Sequence, residues 1–116
     1  MNIEVQKRWV EALRSGEYEQ DAEFLRTSDG WCCLGVLCDL HNKEFNVDPK
    51  FNTIDIFGIL EGNYLGNTTM PPERVLVWGG LTTNTAFWLA TLNDNGVPFE
   101  DIAKAIETMG ATTETV

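Results

Sequence analysis

Apolar residues recur at helical spacing along several stretches of the chain, and they predict most of its secondary structure. Residues 3–15 form an amphipathic helix pattern that ends before Gly16, and residues 33–41 repeat apolar side chains three and four positions apart. Pro71-Pro72-Glu73 predicts the start of a short helix that ends at Gly79-Gly80. Thr82 or Thr83 caps a further helix that runs to about Asn93, and Pro98 opens the last one.

Two other segments favour an extended chain. Ala22 to Thr27 precedes a turn-forming Ser28-Asp29-Gly30, and Thr53 to Leu60 is rich in isoleucine and phenylalanine. Together with the helices they predict an α+β fold class, a small single domain that is helix-rich with a short β-sheet or hairpin.

Length and composition predict how the chain is divided. Its 116 residues, 43% of them hydrophobic, suit one domain with a core of its own. We expect residues 1–109 to form this globular domain, residues 46–69 to be a loop-rich insertion in it, and residues 110–116 to be a flexible C-terminal tail.

The balance of charge limits the partners. Eighteen acidic residues against eight basic ones give a net charge of -10. Such a surface repels phosphate, which disfavours direct nucleic-acid binding and anionic membranes and favours a partner protein with a basic surface. Glu4, Lys7 and Arg8 interrupt any apolar stretch at the start, so we predict no signal peptide and a cytoplasmic location. Self-association stays open.

All three cysteines and the single histidine lie between Trp31 and His41. Cys32, Cys33, Cys38 and His41 are suitable zinc ligands by type, but their spacing matches no common zinc motif. Cys33 at a helix start could be a nucleophile, yet His41 lies about two turns along and cannot easily serve as its base. The favoured interpretation is that the cysteines pack as small core residues, with no metal and no cofactor.

The remaining candidates are binding residues rather than catalytic ones. Four acids alternate near the end of the first helix, which suits a binding edge better than acid–base catalysis. Tryptophans dominate either a core or a partner surface. The candidate binding residues are Glu17, Glu19, Asp21, Glu23, Trp31 and Trp78.

Three segments resemble a family of small uncharacterised proteins of tailed phages and prophages. They are the residues from Arg8 to Tyr18, the CCLGVLCDL motif from Cys32 to Leu40, and Leu92 to Gly96 leading into Phe99 and Ile102-Ala103. Their order and spacing cover about residues 8–107, whereas the segment from Asn46 to Thr69 departs from the pattern. The resemblance implies an accessory gene expressed in a bacterial cytoplasm, and it supplies no catalytic residue.

These observations favour a small acidic phage accessory protein that binds and inhibits a host protein, such as a defence or nucleic-acid-processing factor. One alternative is a protein that binds a small ligand or signalling nucleotide in a tryptophan-lined pocket. A second alternative is a cysteine-dependent enzyme or metal-binding protein built on the cysteine cluster.

Overall fold

The computed structural model describes residues 2–27, 29–45, 52–56, 59–64 and 69–114, with the backbone alone for 52–56, 59–63 and 110–114. Its helices are α1 (Ile3–Arg14), α2 (Cys33–Phe45), α3 (Glu73–Gly79), α4 (Thr83–Asp94) and α5 (Phe99–Glu114). Two short strands, β1 (Asn52–Ile56) and β2 (Ile59–Asn63), pair with each other in antiparallel register.

The predicted α+β class is wrong. Most of the described residues lie in the five helices, and these helices pack against one another rather than against a sheet. The segment predicted as one strand, Thr53 to Leu60, is divided between β1 and β2, which make most of their close backbone contacts with each other. Residues 22–25 form bends in place of the predicted strand, and Arg26 makes an isolated antiparallel bridge to Trp31. The class is all-α.

The helix ends follow local signals in the sequence. The Asn2 side chain accepts hydrogen bonds from the Glu4 and Val5 amides at the start of α1. Thr82 caps α4 through the Thr85 amide, and Gly80 ends α3 with a left-handed φ of 69°. The helix α5 continues past Met109, where the tail was predicted, as far as Glu114.

The core lies where α1 packs along α5 and where α2 packs on α3 and α4. The indole of Trp9, 1% exposed, donates a hydrogen bond to the Cys33 carbonyl at 2.9 Å and so joins α1 to α2. On α5, four apolar residues at helical spacing are all buried. They are Phe99, Ile102, Ala103 and Ile106.

The loop from Ser15 to Cys32 rests directly on α2. A Cβ atom at Gly35 would lie 1.8 Å from the Leu25 carbonyl oxygen, so only glycine allows this approach. The same carbonyl accepts a hydrogen bond from the Cys32 amide at 3.2 Å, and the Leu25 side chain is fully buried. Gly35 therefore sets the distance between the loop and the helix.

Candidate functional site

The three cysteines are core residues around the start of α2. Cys33 and Cys38 are fully buried, Cys32 is 3% exposed, and all three thiols are free. The Cys32 sulfur accepts a hydrogen bond from the Gly35 amide at 3.3 Å. Burial raises the pKa of the Cys32 thiol to about 11 and the pKa values of Cys33 and Cys38 well above their usual range. Thiols that stay neutral in the interior are poor nucleophiles, so this geometry favours packing over catalysis.

We expect none of the three cysteines to react with a disulfide reagent such as DTNB in the native protein, even at about pH 8.5, where an exposed thiol is half ionised. In denaturant all three should react. The measurement is the rate at which the thionitrobenzoate anion of the reagent is released, with and without urea. A thiol that reacts as fast in the folded as in the denatured chain would contradict the burial and favour the cysteine-enzyme alternative.

His41 is a buried residue that contacts three aromatic rings, of which Tyr64 is buried, Trp78 half-buried and Phe45 exposed. Its Nδ1 lies 2.7 Å from the Tyr64 hydroxyl, and its ring centroid is 4.8 Å from that of Phe45 and 5.2 Å from that of Trp78. Burial, with a smaller contribution from Arg74, lowers the pKa of His41, so the ring is neutral at pH 7. Within the described residues no group of three or more His, Cys, Asp or Glu side chains is placed to hold a metal ion.

Side chains from distant parts of the chain fasten the loop between α1 and α2. Asn93 Oδ1 accepts hydrogen bonds from the Cys33 amide at 3.2 Å and from Gln20 Nε2 at 3.1 Å, and Asn93 Nδ2 donates to the Asp21 carbonyl at 2.7 Å. Gln20 Oε1 in turn accepts from the Phe99 amide at 3.1 Å. Because α2 begins at Cys33 and α5 at Phe99, each helix start is capped by a residue of another segment.

This fastening presents most of the predicted acidic residues to solvent. The acidic loop, defined as Glu17, Glu19 and Glu23 between α1 and α2, has all three side chains exposed. Asp21 is different, because it is half-buried and its Oδ2 accepts a hydrogen bond from the Thr27 hydroxyl. Three of the four candidate acids are therefore available to a partner, whereas Asp21 holds the loop together.

The acidic loop has no cationic partner within the described chain. The ion pairs there join Arg8 to Glu44, Arg14 to Glu100 and Glu107, and Lys43 to Asp39. The basic residue of the loop itself, Arg26, places its guanidinium 4.4 Å from the centroid of the Trp31 ring. Three exposed carboxylates therefore remain uncompensated by ion pairs on this side of the molecule.

The two candidate tryptophans lie in separate clusters. Trp31 is half-buried beside the acidic loop, with Arg26 over its ring. Trp78, on α3, is half-buried against His41 and has the Arg8 guanidinium 5.6 Å from its ring centroid. Both rings are thus in contact with side chains of the protein itself, and neither lines the cleft described next.

A cleft of about 220 Å³ opens beside the acidic loop. Its lining residues are Glu23, Cys32, Thr69, Met70, Phe87, Ala90, Thr91 and Asp94. Glu23 is the one non-glycine residue with a positive φ, 76°, in the described chain. In this conformation its amide donates a hydrogen bond to Asp94 Oδ1 at 2.8 Å, which joins the acidic loop to the end of α4.

The sequence patterns did not identify Phe87 and Trp88 as candidate binding residues. Both are large aromatic residues of α4 that are exposed to solvent. Their side chains are 63% and 47% exposed. The helix carries no charged residue before Asp94. In a chain of net charge -10, this uncharged helix is the feature of the sequence that could have identified an exposed aromatic surface.

A family model described as Domain of unknown function (DUF8296) matches residues 1–110. Neither a curated protein nor a solved structure matches the chain. Among the described residues, no helix has the length and apolar character required to cross a bilayer.

Proposed function

We propose that this chain, which belongs to the DUF8296 family, is a protein-binding domain. It docks on a basic surface of another protein and blocks that surface. The likeness of three sequence segments to proteins of tailed phages sets the context: an accessory protein acting on a host factor in the bacterial cytoplasm. The family description assigns no activity, so the argument depends on the surface of this chain.

One observation carries the proposal: the exposed acidic loop without ion pairs, next to an uncharged and partly apolar helix surface. Unpaired carboxylates steer a basic partner into contact and select against acidic ones. Phe87 and Trp88 supply the kind of aromatic surface that is enriched in the centres of protein interfaces. Because Phe87 lines the same cleft as Glu23, an aromatic contact and electrostatic selection are available next to each other.

The structure gives less support to the alternatives. A nucleotide would bring phosphates to a cleft bordered by Glu23 and Asp94, and 220 Å³ is smaller than the roughly 300–1,000 Å³ typical of small-molecule pockets. A cysteine enzyme would need a thiol that solvent and substrate reach, whereas Cys32 and Cys33 are buried.

We expect the tagged chain to capture a host protein at fixed stoichiometry, and we expect the affinity to fall about tenfold or more when ionic strength rises from about 0.05 to 0.3 M. Native mass spectrometry of the purified complex gives the stoichiometry, and calorimetry gives the salt dependence. Adding the pure chain should reduce the activity of the captured partner, as blocking requires.

The matched variants separate local charge from net charge. Glu17→Gln combined with Glu19→Gln should weaken partner binding, whereas Glu4→Gln with Glu11→Gln, which removes the same charge from the exposed side of α1, should not. The proposal is wrong if no partner is captured at fixed stoichiometry, if binding is indifferent to salt, or if both double variants bind equally well.

A further inference from the structure

The cleft beside the acidic loop combines an aromatic ring with two carboxylates. Phe87 lines it from α4 with 63% of its side chain exposed, and Glu23 and Asp94 line it from the loop and from the helix end. The hydrogen bond from the Glu23 backbone amide to Asp94 Oδ1 holds the Glu23 backbone at the Asp94 carboxylate, and both acidic residues line the cleft. Two like charges held together beside a ring form a site that attracts a cation.

No residue of the described chain supplies that cation. All the lining residues are acidic, neutral or apolar, and neither Glu23 nor Asp94 takes part in an ion pair within the described residues. Arg26, the nearest basic residue in sequence to Glu23, is stacked on Trp31. The complementary charge must come from outside the described residues.

The size of the cleft points to one side chain rather than a whole ligand. A volume of about 220 Å³ lies below the range of small-molecule pockets but exceeds the roughly 30 Å³ that one water molecule occupies. Ala90 and Thr91, which line the cleft from α4 beside Phe87, offer uncharged contact to whatever flanks that side chain. A protruding residue on a partner protein meets both conditions.

We propose that this cleft receives an arginine side chain of a partner protein, with the guanidinium against the Phe87 ring and between the carboxylates of Glu23 and Asp94. A guanidinium is planar, stacks on aromatic rings and binds carboxylates through several N–H donors at once, whereas an ammonium does only part of this. The inference rests on the proposed function and adds the chemistry of the contact.

The probe is a blocked peptide, acetyl-Gly-Arg-Leu-Gly-amide, titrated into the ¹⁵N-labelled chain and followed by ¹H–¹⁵N NMR. We expect saturable shifts at the amides of residues 87–94 and at the Glu23 amide. The same peptide with citrulline, a neutral isostere of arginine, should bind about fivefold more weakly or worse. A lysine peptide should fall between the two.

Variants on the exposed surface locate the contact without disturbing the core. Phe87→Ala and Glu23→Gln should each weaken arginine-peptide binding about threefold or more. Val77→Ala, at an apolar residue that is 72% exposed on α3, and Glu11→Gln on α1 are matched controls that should bind as the unmodified chain does. Unchanged amide spectra outside the cleft confirm that each variant is folded.

Three results would overturn the inference: equal binding of the arginine and citrulline peptides, shifts centred away from residues 87–94, or no saturable shift at about 10 mM peptide. That concentration is about ten times a Kd of ~1 mM, which is already weak binding. These failures are distinguishable from failure of the proposed function. If the captured partner binds the unmodified chain, Phe87→Ala and Glu23→Gln alike, docking stands and the arginine site falls.

Discussion

Replacing Gly35 with alanine is expected to destabilise the fold by about 3 kcal/mol or more, a large fraction of the stability of a small domain. The added methyl group would lie 1.8 Å from the Leu25 carbonyl oxygen and 2.6 Å from the Leu25 carbonyl carbon. These are backbone atoms that no rotamer change removes, and the buried Leu25 side chain anchors them. Thermal unfolding should show a midpoint lower by about 10 °C or more, or no cooperative transition.

Gly79→Ala is the matched control. A Cβ atom at Gly79, the last residue of α3, would have its nearest neighbour, Leu37 Cδ2, at 3.6 Å, an ordinary van der Waals distance. We expect this change to be neutral or to stabilise by up to about 1 kcal/mol, because alanine restricts the unfolded chain more than glycine does. Equal loss of stability in both variants would refute the specific contact between the loop and α2.

The second large effect is expected for Asn93→Ala, which should lower the free energy of unfolding by about 3 kcal/mol. The change removes the side-chain partners of the Cys33 amide, Gln20 Nε2 and the Asp21 carbonyl together. Cys33 is fully buried, so water cannot readily replace the lost acceptor at the start of α2. Urea denaturation measures the loss.

Asn84→Ala tests the same substitution at an exposed position of α4 and should change stability by less than about 0.5 kcal/mol. In addition, hydrogen exchange in Asn93→Ala should accelerate first in the loop and at the start of α2. If exchange instead rises uniformly, or if the two variants are equally stable, Asn93 does not organise the loop.

The sequence was sufficient for the bounds of α1, α3 and α4 because each begins or ends at a strong local signal. Gly16 follows α1 with a φ of 80°, Gly80 ends α3, and the Thr82 hydroxyl caps α4, all as the sequence predicted. Gly35 is the most informative irregularity in the sequence, since a glycine inside an apolar helix pattern indicates a close approach of other atoms. The structure identifies those atoms as the Leu25 backbone.

The fold class failed where local preference and tertiary context disagree. Residues 22–27 were predicted as a strand, but Gln20, Asp21 and Leu25 are held by contacts to α5, α4 and α2 that bend the chain. Residues 53–56 and 59–60 did become extended, yet within the described residues no further strand joins β1 and β2 to make a larger sheet. Propensity predicts a local conformation and not the packing partners.

The candidate site was partly predictable for a similar reason. Alternating acids are visible in sequence, and Glu17, Glu19 and Glu23 are exposed, as a binding edge requires. The cleft, however, is formed by residues as far apart as Glu23 and Asp94, and no local pattern links them. Which carboxylates have ion-pair partners also depends on tertiary placement, because Glu100 and Glu107 receive theirs from α1.

Because Asn93 caps the start of α2 and Gln20 caps the start of α5, the order in which the chain is synthesised limits the order in which it can fold. The Cys33 amide donates to Asn93, 60 positions away, and the Phe99 amide donates to Gln20, 79 positions away. Each pair must come into contact before the hydrogen bond that caps its helix can form. Contacts of such separation form late and slowly. A nascent chain leaving the ribosome would therefore hold α2 with an open end until α4 and the start of α5 have emerged, and the acidic loop would take its shape only then.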